Sequence, residues 1–247
     1  MQYKGIIMQT IKFIFTIVVA LSTLFPKSND KRNIKKFVTD VTIEVELNYL
    51  LYLPSDYSDS KKAYPLVLFL HGAGERGEDI NLVEIHGIPK LINMGKELPF
   101  ITIAPQCPFD RWWSDSIFVK ALISLIEKTK AQYNVDDSRI YATGLSMGGY
   151  GTLAIAIERP DLFSGIIPIC GGGDLKKIGR LKDMPVWFFH GDADTVVPVE
   201  NSTKIYDILK PINDNVKITI YEDVGHDSWT QTYDNNDIYE WLLSQKK

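Results

Sequence analysis

The chain is poor in cysteine and histidine, and this scarcity excludes several classes of protein. Among 247 residues there are two cysteines, Cys107 and Cys170, and four histidines. Two cysteines make neither the disulfide framework of a small secreted domain nor a metal site of the usual Cys/His spacing. The two cysteines end strands that need not be neighbours, so we expect free thiols near the functional site, with a disulfide as the alternative, and we expect no metal.

Clusters of positive charge are also lacking outside the N-terminus. The 27 lysines and arginines are outnumbered by 31 aspartates and glutamates, which gives a net charge of −4. A nucleic-acid partner needs a concentrated basic surface, so we expect none. The length and the 45% of hydrophobic residues suit one large α/β domain or two small ones.

The apolar run at the N-terminus is short. Residues 13–21 are apolar apart from Thr16, follow Lys4 and Lys12, and precede a polar segment, residues 27–36. Such a run is short for a membrane span, and its flanks are typical of a secretory signal peptide. We predict a signal peptide and its polar exit over residues 1–27 with cleavage before Thr23, a linker over 28–36, and a secreted or periplasmic domain over 37–247. An uncleaved N-terminal anchor is the alternative and would be the only membrane partner; Met8 is an alternative start.

The remaining chain alternates between two kinds of apolar pattern. Residues 37–52 alternate in polarity and predict one or two antiparallel strands, whereas residues 65–70, 100–104, 165–170 and 185–189 are continuously apolar, as buried parallel strands are. Helical patterns lie between them at residues 82–94, 115–133, 152–157 and 201–209, and another closes the chain at 238–244. This order predicts an α/β fold in which a mostly parallel sheet carries helices on both faces. Functional side chains then belong at the carboxyl ends of the strands.

One motif joins a predicted strand directly to a predicted helix. It is Gly144-Leu145-Ser146-Met147-Gly148, a Gly-x-Ser-x-Gly sequence. In that context the motif predicts a sharp turn that presents Ser146 in strained geometry, with glycines where a Cβ would collide with neighbouring elements. A flexible Gly/Ser loop is the alternative.

A serine nucleophile needs a base and an acid that orients the base. His226 follows the last strand and comes after both Ser146 and Asp194, which is the chain order Ser, Asp, His expected for this architecture. Asp194 is the preferred acid, and Asp192 is the alternative, with loop stabilisation as its other role. The sequence His71-Gly72-Ala73-Gly74 follows a buried strand and is suited to turn backbone N–H groups into a site.

Together these motifs resemble the α/β-hydrolase superfamily. The strings Gly-Ala-Gly-Glu-Arg-Gly from Gly72 and Gly-His-Asp-Ser-Trp from Gly225 resemble more narrowly the phospholipase/carboxylesterase and prolyl-oligopeptidase-like "predicted peptidase" families, whose relatives include feruloyl and acetyl-xylan esterases. The resemblance covers residues 37–247 and implies that they form an α/β-hydrolase catalytic domain. It also implies a Ser146, His226 and Asp194 triad, oxyanion donors at the backbone N–H groups of Ala73 and Met147, an acyl-enzyme mechanism, and no cofactor.

The sequence also bears on the substrate. Only residues 170–185 separate two predicted strands where many hydrolases insert a lid, so we expect no lid domain and an open site that accepts small-molecule or polysaccharide-borne esters, such as acetyl or feruloyl esters. Trp112, Trp113 and Trp229 lie in strand-end loops, where they either contact substrate rings or wall the core. Glu75 either contacts substrate or pairs with neighbouring groups. A serine peptidase or amidase is the alternative function, and a non-catalytic binding protein is a more remote one.

Overall fold

One mixed sheet organises the part of the chain that the structure, a computed structural model, describes: residues 3–13, 35–39, 41–57 and 62–247. The strand order across the sheet is β1-β2-β4-β3-β5-β6-β7-β8. Strand β2 pairs with β4 in antiparallel fashion, whereas the pairs from β4 to β8 are parallel. The strands are β1 (Tyr3–Phe13), β2 (Val41–Tyr52), β3 (Tyr64–Leu70), β4 (Ile101–Pro105), β5 (Val135–Leu145), β6 (Gly165–Ile169), β7 (Val186–Gly191) and β8 (Val216–Tyr221).

Six α-helices occur in the described residues, all of them between or after the parallel strands. One face of the sheet packs against side chains from α1, α5 and α6, including Ile88, Tyr233 and Tyr239. Helix α3 contacts β3, β5 and β6, and α2 packs against α3. The predicted α/β fold is confirmed. The helices are α1 (Gly87–Asn93), α2 (Ser116–Gln132), α3 (Met147–Glu158), α4 (Glu200–Leu209), α5 (Trp229–Asp234) and α6 (Asp237–Ser244).

The continuously apolar segments form the centre of the sheet because both of their faces are covered. Every residue of β3, β4 and β6 is buried. The helix predicted over residues 82–94 differs in the structure: a 3₁₀ turn spans Ile80–Glu84, and α1 begins only at Gly87. Gly87 has φ +64°, which right-handed helical backbone does not allow, so the two pieces cannot be continuous.

Residues 170–185, between β6 and β7, contain a 3₁₀ turn at Ile178–Leu181 and no inserted domain. This agrees with the predicted absence of a lid domain at that point. This connection therefore does not cover the carboxyl ends of β3, β5, β7 and β8.

The N-terminal part of the chain forms a separate compact unit. Its bounds are Met8–Glu46, and the other unit comprises Met1–Ile7 and Leu47–Lys247. Most of the apolar run of the predicted signal peptide, residues 14–21, lies outside the described residues, so the signal peptide stays a prediction. Within the described residues no helix combines the length and the apolar character needed to cross a membrane.

Candidate active site

Ser146 occupies the sharp turn between β5 and α3. Its backbone has φ 51° and ψ −116°, a conformation that costs a non-glycine residue about 1–3 kcal/mol. The turn is tight because a Cβ on Gly148 would lie 1.9 Å from the Leu70 carbonyl oxygen, and one on Gly144 would lie 2.5 Å from the Gly148 oxygen. The strained turn that the motif predicted is therefore present, and it places Ser146 at the N-terminus of α3.

The His226 ring is hydrogen-bonded on both sides. Its Nδ1 lies 2.7 Å from Asp194 Oδ2, and its Nε2 lies 2.9 Å from Ser146 Oγ. An ionised carboxylate can only accept, so Nδ1 carries the proton and donates it to Asp194. The lone pair of Nε2 then faces the serine hydroxyl, which donates to it.

Asp194 is held ionised by the hydrogen bonds it accepts. Burial alone would raise its pKa, but hydrogen bonds from His226 and from the backbone N–H groups of Val197 and Val196 outweigh burial and lower the pKa. Its Oδ2 also lies 3.3 Å from Nε2 of the buried His190, which donates to the Val197 carbonyl. Both oxygens of Asp194 are thus fixed before any substrate arrives.

Asp192 has a different position. It is exposed, and its Oδ1 accepts a hydrogen bond from the backbone N–H of Asp223. Asp192 therefore ties the loop after β7 to the loop after β8, which is the loop-stabilising role considered for it. Of the two carboxylates, the structure brings only Asp194 to His226.

The loop after β3 lies beside the sharp turn at Ser146. A Cβ on Gly72 would meet Leu145 at 2.8 Å, so Ala73 begins its 3₁₀ turn next to the end of β5. Met147 is the first residue of α3, and the first N–H groups of a helix have no partner inside it. The structure thus places the two predicted oxyanion donors, Ala73 and Met147, in segments that touch one another.

His71 supports this loop from below. Its Nε2 accepts a hydrogen bond from the Cys107 N–H at 3.0 Å, so its Nδ1 carries the proton and donates to the Gly72 carbonyl at 2.6 Å. Burial lowers the pKa of His71 to about 4, and the ring is neutral at pH 7. The 3.8 Å approach of Glu75 to His71 is therefore not an ion pair.

Cys170 lies next to the His226 and Asp194 pair. Donor atoms of the three side chains are all within 4.8 Å of one another, and Cys170 has φ 39°. Burial raises the pKa of this thiol to about 12, and that of Cys107 to about 12 as well, so both are protonated at neutral pH. The expectation of free thiols is confirmed. Because Asp194 and Ser146 already occupy both ring nitrogens of His226, we assign no metal to this group.

For two of the candidate substrate contacts the structure favours the alternative, a structural role. Trp113 is fully buried: its indole N–H donates to the His71 carbonyl, and it packs against Gly151 of α3. Glu75 is 7% exposed and faces His71 and His86, and burial raises its pKa. Both side chains pack near His71, at the start of the loop after β3.

The other two predicted contacts lie on accessible surface. Trp229 is half-buried, and its ring centroid is 5.2 Å from that of His226 and 5.5 Å from that of His86. Trp112 is 46% exposed. Their contact with substrate stays a prediction.

Two further residues of this region had no settled role in the sequence. His190 was noted only as the histidine that ends a strand before the acidic loop, and Arg76, like Glu75, was given as either a substrate contact or a partner of neighbouring groups. Arg76 Nε donates to the Ala73 carbonyl at 2.9 Å, which fixes the loop that carries one predicted oxyanion donor.

The chain is similar to proteins named as esterases or thioesterases. The phospholipase/carboxylesterase family matches residues 116–242. Acyl-protein thioesterase 1 of Neurospora crassa is 31% identical over 201 residues, which cover 68% of this chain and 82% of that protein. The "probable feruloyl esterase C" of Aspergillus terreus is 28% identical over 162 residues, which cover 64% of this chain and 58% of the relative.

A solved structure extends the agreement to the fold. The crystal structure of a thermostable esterase has a TM-score of 0.72 and 37% identity, and the match covers 85% of this chain and 68% of the other. The first curated relatives are longer, since the matches span 12–58% of their length. The chain has the α/β-hydrolase fold and belongs to the phospholipase/carboxylesterase family.

Proposed function

We propose that this chain hydrolyses carboxylic esters through an acyl-enzyme, with Ser146 as nucleophile, His226 as general base and Asp194 as the orienting acid. The proposal depends on one observation: the His226 ring is hydrogen-bonded to Asp194 at 2.7 Å and to Ser146 at 2.9 Å. A base must lie within hydrogen-bond reach of the proton it removes, and this geometry meets that condition.

In the first half-reaction Ser146 Oγ attacks the ester carbonyl carbon while its proton passes to His226 Nε2. The carbonyl oxygen becomes an oxyanion that accepts hydrogen bonds from the N–H groups of Met147 and Ala73; losing one such donor costs about 10²–10³ in kcat in known cases. The bond to the alcohol oxygen then breaks, and His226 returns the proton to that oxygen. Asp194 stabilises the positive charge that His226 carries in between.

In the second half-reaction water takes the place of the alcohol. His226 removes a proton from the water as the water oxygen attacks the acyl carbon. The bond to Ser146 Oγ breaks, Ser146 recovers its proton from His226, and the carboxylic acid leaves.

We propose accessible esters as the substrates, in particular acetyl or feruloyl groups carried by polysaccharides. The connection at residues 170–185 adds no lid domain, and this leaves room for a bulky alcohol. The similarity to a protein named as a feruloyl esterase supports the same class. We also propose that the chain is exported, because such polymers lie outside the cell.

The triad is tested by the hydrolysis of p-nitrophenyl acetate. The Ser146→Ala variant should lose the activity, whereas Ser244→Ala, which removes an exposed hydroxyl at the end of α6, should retain it. Equal rates for the wild type and Ser146→Ala would refute the assignment.

The substrate class is tested with acetylated xylan, methyl ferulate and chromogenic peptides. Turnover of the first two, with no peptide cleavage, is the expected result. Preferential peptide cleavage would favour the peptidase alternative over the esterase.

A further inference from the structure

Two exposed aromatic side chains flank an arginine close to the active site. Phe109 and Trp112, on the loop between β4 and α2, are 78% and 46% exposed. The Arg76 guanidinium carbon lies 5.8 Å from the centre of the Phe109 ring and 5.4 Å from that of the Trp112 ring. We call these three side chains the aromatic platform. Adjacent exposed rings of this size are typical of a binding surface.

The platform is fixed to the loop that carries Ala73. Arg76 donates from Nε to the Ala73 carbonyl and from Nη1 to the Arg111 carbonyl, so it joins the two loops directly. The backbone beneath the rings is joined to the same loop by hydrogen bonds from the Cys107 N–H to His71, from the Gly77 N–H to the Cys107 carbonyl, and from the Gln106 amide to the Glu75 carbonyl. These hydrogen bonds hold the loop that carries the rings, so its backbone loses little conformational entropy when a ligand binds.

The buried Trp113 provides the second attachment. Its indole N–H donates to the His71 carbonyl, and its Cβ lies 2.4 Å from where a Cβ on Gly151 would be, inside α3. The same loop therefore contacts both segments that adjoin Ser146: the turn after β3 and the helix that begins at Met147. The platform is therefore attached to the same two segments that hold Ser146 in place.

The chemistry of the platform suits a ring that is apolar on its face and polar at its edge. The aromatic faces offer stacking surface, and Arg76 uses only two of its five N–H donors in the hydrogen bonds described above. A purely hydrocarbon ligand would cover a charged guanidinium without pairing it, which is unfavourable. The acidic residues Glu78, Asp79, Asp110 and Asp115 outnumber Arg76 and Arg111 on these loops, so nothing selects an acidic ligand.

We propose that the aromatic platform binds neutral sugar rings of a polysaccharide whose ester is presented to Ser146. Pyranose rings have C–H faces that stack on Phe109 and Trp112 and edge hydroxyls that accept hydrogen bonds from Arg76. This inference rests on the proposed function for the ester, but the binding of sugar by the platform can be measured without turnover.

The binding experiment uses the Ser146→Ala protein in native gels that contain soluble arabinoxylan or mixed-linkage β-glucan. At least one polysaccharide should retard this protein, and adding Phe109→Ala and Trp112→Ala should abolish the retardation. Restoring a ring with Trp112→Tyr in place of Trp112→Ala should recover part of it. Phe37→Ala, which removes another exposed aromatic side chain, is the matched control and should be retarded like its parent.

Absence of retardation by both polysaccharides, or equal retardation with and without the two rings, would overturn the proposal. Binding to poly(3-hydroxybutyrate) particles in place of polysaccharide would also overturn it, because an apolar polyester requires no hydroxyl recognition. These outcomes do not depend on whether Ser146 is the nucleophile, so they separate this inference from the proposed function.

The kinetic experiment uses the active protein. The ratio of kcat/KM on acetylated xylan to kcat/KM on p-nitrophenyl acetate should fall about tenfold in the Phe109→Ala/Trp112→Ala variant, since two stacking contacts are lost. The fall should lie mainly in the KM for the polymer. An unchanged ratio would contradict the proposal, and equal loss on both substrates would show that the rings support the site instead of binding the polymer.

Discussion

At the level of single residues, the contacts of Asp194 determine which nitrogen of His226 carries the proton. In Asp194→Asn the retained amide oxygen still accepts from Val196 and Val197, but an NH₂ group faces His226 Nδ1. The ring must then carry its proton on Nε2, which faces Ser146, instead of on Nδ1. We predict a loss of about 10⁴ in kcat on p-nitrophenyl acetate with little change in fold, as in other enzymes with this constellation.

Asp192→Asn is the matched control for that variant. Its Oδ1 accepts only a backbone N–H of the neighbouring loop, and an asparagine oxygen can do the same. The expected kcat is that of the wild type. If Asp192→Asn lost more activity than Asp194→Asn, the acid of the proposed triad would have to be reassigned.

His71 makes the stability of the protein depend on pH. Burial lowers its folded-state pKa to about 4 from the ordinary value of 6.5, so between these values the unfolded chain binds a proton that the folded chain does not. Stability from this group is complete above pH 6.5 and is lost as the pH falls toward 4. We predict that going from pH 7 to pH 5 costs the wild type about 2 kcal/mol more of unfolding free energy than it costs His71→Gln.

Urea unfolding of both proteins at the two pH values measures this difference. Glutamine can accept the Cys107 N–H as His71 does, but it does not titrate. If the free energies of unfolding of the two proteins fell in parallel, the neutral buried state of His71 would be refuted.

Ser146, Asp194 and His226 could be selected from the sequence because motif, chain order and strand-end position all pointed to them. The burial of Trp113 and Glu75 could not be, since Trp112 and Trp113 are neighbours of the same type and only the path of the loop decides which ring turns inward. The platform was missed for the same reason: Phe109 and Arg76 are 33 residues apart in sequence and meet only through the folded loops.

At the level of secondary-structure elements, the first turn of α3 packs against the end of β3 with no space for an added side chain. A Cβ on Gly148 would lie 1.9 Å from the Leu70 carbonyl oxygen and 2.8 Å from that of His71. Both are backbone atoms, so moving either one out of the way is energetically costly. We predict that Gly148→Ala loses about 1–3 kcal/mol of stability and lowers kcat, because α3 must move away from β3 and carry Ser146 with it.

Thermal unfolding and p-nitrophenyl acetate kinetics measure both effects. The comparison is Gly179→Ala, where the added Cβ meets nothing within 4 Å, so stability and activity should be kept. Equal behaviour of the two variants would contradict the close packing of α3 on the end of β3.

Within residues 37–247 most strands and α-helices were predicted, and the exceptions are the helix over residues 82–94 and α5. Continuously apolar segments such as β3 and β6 are specified by burial on both faces, which is a property of the segment itself. The helix expected over residues 82–94 is broken because Gly87 adopts a positive φ. Helix α5 was missed because Trp229–Asp234 is a short segment with only Thr232 and Tyr233 buried, too few for a periodic pattern.

At the level of the whole molecule, the strand order explains why distant residues meet. Strands β3, β5, β6, β7 and β8 are parallel neighbours, so the loops at their carboxyl ends lie side by side and bring Ser146, Asp194 and His226 together across 80 residues of sequence. Alternation of strands and helices predicted the parallel sheet, but it did not specify the order β2-β4-β3-β5, which depends on long-range pairing.

The proposed export of the chain yields a prediction about its N-terminus. The described contacts of Ser146, Asp194 and His226 all come from residues within Leu47–Lys247. If residues 1–22 are a signal peptide, the mature protein should begin at Thr23, and a chain that starts at Ser28 should keep the kcat/KM of the mature protein on p-nitrophenyl acetate.

N-terminal sequencing of the exported protein and kinetics of the Ser28 chain make the two measurements. The matched variant is Ala20→Arg, which replaces the small residue three positions before Thr23 and should leave the segment uncleaved. A Ser28 chain that is inactive, while the full chain unfolds cooperatively and is active, would show that the folded enzyme needs residues 1–27. The hypothesis of a removable signal would then be wrong, because a segment that the enzyme needs cannot be discarded on export.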